Sequence, residues 1–96
     1  MPAITYDVRI LRKRTNMTLE IITPDKMVYS GQVKLIQMPG HNGLFEILNH
    51  HAPIISTLGK GKIKVEEESG QVLFFDVDGG IIENKDNKII VLAESV

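Results

Sequence analysis

The chain of 96 residues contains no cysteine and no tryptophan. Without cysteine, a disulfide-stapled miniprotein and any thiolate metal site are excluded. Charge of one sign is lacking too: 11 Lys and Arg stand against 12 Asp and Glu, for a net charge of −1. That balance argues against broad electrostatic capture of nucleic acid or of an anionic membrane. No apolar run approaches the roughly 20 residues that a membrane-crossing helix requires. Only 3 alanines are present, against 13 isoleucines and 8 valines. Stiff, branched side chains favour the pleated surface of a sheet. With 8 glycines and 4 prolines scattered as breaks, the composition predicts one all-β domain.

The charges are unevenly placed. Residues 1–16 (MPAITYDVRILRKRTN) carry Arg9, Arg12, Lys13 and Arg14 against Asp7 alone, and hold every arginine of the chain. They read as a basic N-terminal extension, dispensable or disordered, ahead of a domain at 17–96; a basic arm for a phosphate-bearing partner is the alternative. They contain no apolar stretch long enough for a secretory signal.

From Met17 onward strand and turn alternate. Residues 18–23 (TLEIIT) form a strand closed by Pro24-Asp25. Residues 27–30 form a short one, with a bulge or bend at Gly31, and residues 32–38 (QVKLIQM) form the next. Pro39-Gly40-His41-Asn42-Gly43 is the densest turn signal and predicts an exposed loop. Strands are expected at 44–48 and 54–58. Ile63 and Val65 alternate with Lys62, Lys64 and Glu66, which predicts one buried and one solvated face. Residues 66–70 read as a hairpin turn and residues 71–77 as a central strand. Gly79-Gly80 marks a close backbone approach, and Asn84-Lys85-Asp86-Asn87 a polar hairpin tip. About eight to ten short strands at this spacing predict a sandwich or a barrel.

Catalytic patterns are scarce. His50 and His51 are adjacent, so an extended chain points them to opposite faces. His41 lies apart in the glycine-rich loop, and no carboxylate takes a familiar ligand spacing, so no metal site is expected. Asp76 and Asp78 are spaced to share a strand face, as acid–base work would require. The glycine pair that follows makes them turn-flanking residues instead. No nucleophile elbow and no P-loop occurs. Lys34, Lys60, Lys62 and Lys64 with Phe74 and Phe75 would suit a single-strand stacking platform. The Glu66–Glu68 run offsets those lysines, and both phenylalanines read as core. Asp25-Lys26-Met27 resembles the lysine turn of lipoyl and biotinyl carrier domains, though here it follows the first strand. A stand-alone binding or carrier domain is therefore the second reading.

The ordered set of motifs carries a stronger resemblance. Leu19-Glu20-Ile21-Ile22-Thr23-Pro24 leads to Val28-Tyr29-Ser30-Gly31 and Val33, then to Pro39-Gly40-x-x-Gly43. His51-Ala52-Pro53-Ile54-Ile55-Ser56, Leu58-Gly59-x-Gly61-x-Ile63, Gly79-Gly80-Ile81-Ile82-Glu83 and residues 89–93 follow in order. Over residues 17–96 this resembles the N-terminal β-sandwich of the epsilon subunit of F-type ATP synthase. The resemblance implies an all-β fold, a flattened β-sandwich of about ten short strands, serving as a non-catalytic rotor subunit of the central stalk, without a cofactor. Its implied partners are the gamma subunit and the membrane proteolipid ring, with no nucleic acid and no insertion into the bilayer. Its implied place is the cytoplasmic face of a bacterial inner membrane. Carried over by position, Gly40, His41, Asn42, Gly43 and Leu44 match the ring-facing loop, and His51-Ala52-Pro53 the gamma-facing turn. Many relatives carry an acid near the end of that loop, where this chain has Leu44, with Glu46 two residues on. Many also continue into a C-terminal helical hairpin that inhibits ATP hydrolysis and in some binds ATP. A chain ending at Val96 is expected to lack both properties.

Overall fold

A computed structural model describes residues 17–96, so the basic head at 1–16 lies outside the described residues. Eight strands follow one another: β1 Met17–Ile22, β2 Met27–Gly40, β3 Gly43–Leu48, β4 Ile54–Leu58, β5 Gly61–Glu67, β6 Val72–Val77, β7 Gly80–Lys85 and β8 Lys88–Ala93. The all-β expectation holds, and no helix occurs among the described residues. Among the described residues the strands number eight, the low end of the eight to ten expected, in part because residues 27–40 form one strand of 14 residues where two were expected.

β2 has neighbours on both edges. One edge pairs with β1 over the first half and with β3 over the second, while β5 pairs across the other edge. The sheet runs β4-β7-β8-β1-β2-β5-β6, with β3 beside β2. All pairings are antiparallel except that of β1 with β8. The ladder of β2 with β5 shifts register between Val33 and Leu35. Such an irregularity bends a strand and sharpens its twist, and it folds this sheet over into two layers. Inward residues then meet across the fold. Met17, Leu19, Ile21, Val33, Ile36, Met38, Ile47, Ile63, Val65, Ile82, Ile89 and Val91 are all fully buried. The phase changes from Val33 to Ile36, as an extra residue at the bend requires.

Gly31 makes no bulge. It pairs in register with Leu19, and a Cβ there would collide with the hydroxyl of Tyr29. The ring of Tyr29 crosses between the layers to Phe75, centroids 5.6 Å apart and tilted by 58°. Its Oη donates a 2.6 Å hydrogen bond to Glu67 Oε2. Glu67 therefore ends β5 as a half-buried acceptor, and the turn begins only after it. β6 also differs from expectation: it lies at the sheet's edge, not its centre. Alternation turns Phe75 inward and leaves Phe74 59% exposed. Gly80 does mark a close approach, since a Cβ would sit on the Leu92 carbonyl oxygen.

Burial, then the hydrogen bond to Glu67 and the charge of that carboxylate, push the Tyr29 hydroxyl from its ordinary 10.0 up to about 12. A raised folded pKa favours the protonated, folded form. The stability it contributes is whole below pH 10.0 and is lost as pH rises through about 12. Tyr29→Phe should cost about 1 kcal/mol near neutrality and remove this alkaline component. Denaturant titrations of both proteins from pH 8 to 12 check it: the stability gap should close as pH rises, and parallel curves would contradict the contact.

Candidate functional site

Two groups of connections gather at opposite ends of the sandwich, joined by β3. The first is the β2–β3 hairpin. β2 continues to Gly40, which pairs with Gly43, so the tip is only His41-Asn42. Gly43 takes φ 115°, a conformation that side chains resist and that suits a glycine closing a tight hairpin. The predicted loop is thus shorter than expected. Pro39 is buried, and its carbonyl accepts a 2.9 Å bond from the Gly59 amide. Of the five residues matched to the ring-facing loop, His41, Asn42, Gly43 and Leu44 are exposed, Leu44 by 66%, while Gly40 is half-buried against Phe45. Pro24, His41, Gly59, Lys60, Gly79 and Glu94 line an open depression at this end. Pro24, just before β2, and His41, just after it, thus line the same depression.

The second group is the β3–β4 connection at the other end of β3. At about 3.3 Å per residue, the six residues of β3 separate the two groups by about 20 Å. His51, Ala52 and Pro53 are exposed. The backbone behind them is held by the β7–β8 hairpin. Asn84 Nδ2 donates to the carbonyl oxygens of His51 and Ala52, at 3.2 and 3.3 Å. Asn87 Oδ1 accepts from the His50 amide at 2.9 Å, and its Nδ2 donates to Asn49 Oδ1 at 2.7 Å. His50 adopts φ 64°. The predicted four-residue tip of the β7–β8 hairpin shrinks to Asp86-Asn87, both at positive φ. A two-residue hairpin turn demands that geometry. Asn84 is thereby returned to the strand, facing inward. Sequence reading missed it because four consecutive polar residues looked like a loop.

Charged groups are dispersed. Asp76 pairs with Lys62 at 2.9 Å in the open, and Asp78 accepts from the Ser95 hydroxyl at 2.6 Å. The two aspartates therefore serve separate partners. His41 sits at the hairpin tip while His50 and His51 sit at the far end, and His51 Nδ1 lies 2.8 Å from the Ala52 carbonyl oxygen. No group of three potential metal ligands gathers among the described residues. Lys26 is exposed in a tight turn closed by bonds between Thr23 and Lys26, between β1 and β2 rather than in mid-domain. Lys64 and Phe74 are cross-strand neighbours, but Phe75 belongs to the core, so the two phenylalanines do not form one platform.

The family model described as ATP synthase, Delta/Epsilon chain, beta-sandwich domain, matches residues 16–96. An ATP synthase epsilon chain from Chlorobaculum tepidum is 39% identical over 79 residues, covering 82% of this chain and 90% of that relative. One from Desulfatibacillum aliphaticivorans is 40% identical over 80 residues, covering 83% of this chain but 57% of the relative. The chain thus spans nearly all of one relative and little more than half of the other. Among solved structures, a chain of the Euglena gracilis mitochondrial ATP synthase (OSCP/F1/c-ring) superimposes with TM-score 0.79 at 19% identity, over 84% of this chain and 52% of that one. A chain of the Tetrahymena thermophila mitochondrial ATP synthase central stalk and c-ring gives 0.65 at 20% identity, over 80% and 62%. At such identities these structures speak for the fold alone.

Asn87→Gly keeps the positive φ but removes the side-chain bonds to Asn49 and His50. It should cost about 1–2 kcal/mol, lowering Tm by about 5–10 °C. The His50 amide should exchange faster with solvent while the His41 amide keeps its rate. An unchanged Tm and His50 rate would contradict the clamp.

Proposed function

The chain belongs to the ATP synthase delta/epsilon β-sandwich family, and from that premise we propose that it is a non-catalytic central-stalk subunit of a proton-translocating F-type ATP synthase. The observation that carries this reading is the family match over residues 16–96, which takes in every described strand. The sequence relatives bearing the epsilon-chain name support it. In this role the subunit links gamma to the proteolipid ring, and so couples proton flow to ATP synthesis in the catalytic head. The complex is membrane-associated. Its place here is the cytoplasmic face of a bacterial inner membrane, in keeping with the bacterial relatives.

The geometry suits a part that bears load. His41, Asn42, Gly43 and Leu44, with Gly40 at their base, meet the ring, and His51-Ala52-Pro53 meets gamma. These surfaces cap the two ends of β3. β3 is hydrogen-bonded along β2, and β2 is bonded into both layers. Force entering at one end therefore passes along backbone and ladder bonds, with no flexible loop in series. The work is done by packed surfaces and stiffness, and no side chain has to change protonation.

Two experiments test the proposal. Co-expressed with gamma from its own organism, the chain should purify as a stoichiometric complex; a chain that stays monomeric beside folded gamma contradicts the rotor reading. Leu44 tests the ring contact more cleanly than Gly43, where any side chain adds strain at φ 115°. Covering an exposed leucine is worth about 1.5–3 kcal/mol, so Leu44→Ser should weaken seating on the ring by about tenfold or more. ATP-driven proton pumping in reconstituted vesicles should fall while ATP hydrolysis persists. Undiminished pumping would contradict this placement of the loop.

A further inference from the structure

Asn84 is the one buried polar or charged residue among those described, at 1% exposure. It lies in β7 opposite Ile54 on one side and Ile89 on the other, in the inward phase shared with Ile82. An apolar side chain would suit that place, since its neighbours there are isoleucines. The amide is also poorly served by the core. Its Oδ1 is buried without a hydrogen-bond partner, and a buried unpaired acceptor costs stability. All of its hydrogen bonding goes one way: both described bonds run from Nδ2 to the consecutive carbonyls of His51 and Ala52. Two carbonyls held by one rigid amide fix the orientation of the peptide planes between them. That orientation sets how His51, Ala52 and Pro53, all exposed, are presented to a partner. Asn87 holds the preceding residues, Asn49 and His50, from the same hairpin. The stretch 49–52 is thus anchored at four points to β7–β8, while its outward side stays free.

We propose that Asn84 is a positioning residue for subunit docking: stability is given up in the core so that the turn at 51–53 keeps one orientation toward gamma. This rests on the reading of that turn as the gamma contact. It makes an unusual demand, because removing the amide should leave the fold as stable as before, or more so, while weakening association. A residue with only a structural role would lower both together.

The test is Asn84→Leu, a near-isostere without polar atoms, in the full-length chain, beside His51→Ala. Thermal melting, amide exchange and titration with purified gamma are measured for each. Asn84→Leu is expected to keep or raise Tm, to speed exchange of the His51 amide, and to weaken gamma binding about tenfold, equivalent to about 1.4 kcal/mol. If His51→Ala weakens binding and Asn84→Leu does not, the positioning role is overturned. If neither weakens binding, the docking reading itself fails, and the positioning role that rests on it falls with it. Should Asn84→Leu fold poorly, stability and binding fall together as a purely structural residue requires, and the proposal is overturned; the unmodified chain supplies a second check. Bonded and buried, the Asn84 side-chain amide protons should exchange about 100-fold more slowly than those of exposed Asn42; equal rates overturn the proposal.

Discussion

A single strand belongs to both layers of this domain, and the rest of the architecture depends on how it bends. β2 pairs with β1 along its first half and with β3 along its second, while β5 closes its other edge. Without the irregularity between Val33 and Leu35 the sheet would run on, and its inner faces would find no partner. With it, Val33 on one side of the bend and Ile36 and Met38 on the other all point into one core. Tyr29 secures the closure from the outer part of the strand, packing on Phe75 and donating to Glu67. Pro24, just before this strand, and His41, just after it, line the same depression.

From that arrangement follow the positions of the two proposed contact surfaces. The hairpin tip at His41-Asn42 and the turn at His51-Ala52-Pro53 are the two ends of β3, and they are supported differently. The tip relies on backbone geometry: Gly43 supplies the positive φ, and the buried Pro39 beneath accepts the Gly59 amide. The turn relies on side-chain amides reaching across from another hairpin. A tip fixed by a tight turn has few ways to adapt, whereas a clamped turn can be tuned by changing the clamp. Dispersed charges complete the picture, with Lys62–Asp76 an exposed pair of little energetic weight.

Much of this was legible in the sequence wherever burial followed simple alternation. Ile63 and Val65 against Lys62 and Lys64 is such a case, as is the close approach at Gly80. Two of the misreadings, at Gly31 and at Asn84, share a cause, because each took a local break signal for a backbone break. Gly31 looked like a bend, but the missing side chain makes room for the Tyr29 ring within a continuous strand. The apolar run around Phe74 and Phe75 looked buried on both faces, yet β6 is an edge strand with Phe74 outside. Asn84 looked like part of a loop, because nothing local announces that Asp86 and Asn87 alone can turn the chain. Its role depends on a carbonyl pair more than thirty residues away, a separation that no pattern of neighbours encodes. The proposed contact surfaces rest on resemblance, since turn chemistry alone does not say what a turn touches.

The central claim is that one short strand carries two different partners at its two ends. Photo-reactive residues placed at Asn42 and at Ala52 in the assembled membrane complex test it most directly. Crosslinks from position 42 should run to the proteolipid ring and those from position 52 to gamma. Crosslinks from both positions to the same subunit, or with the partners exchanged, would contradict the account.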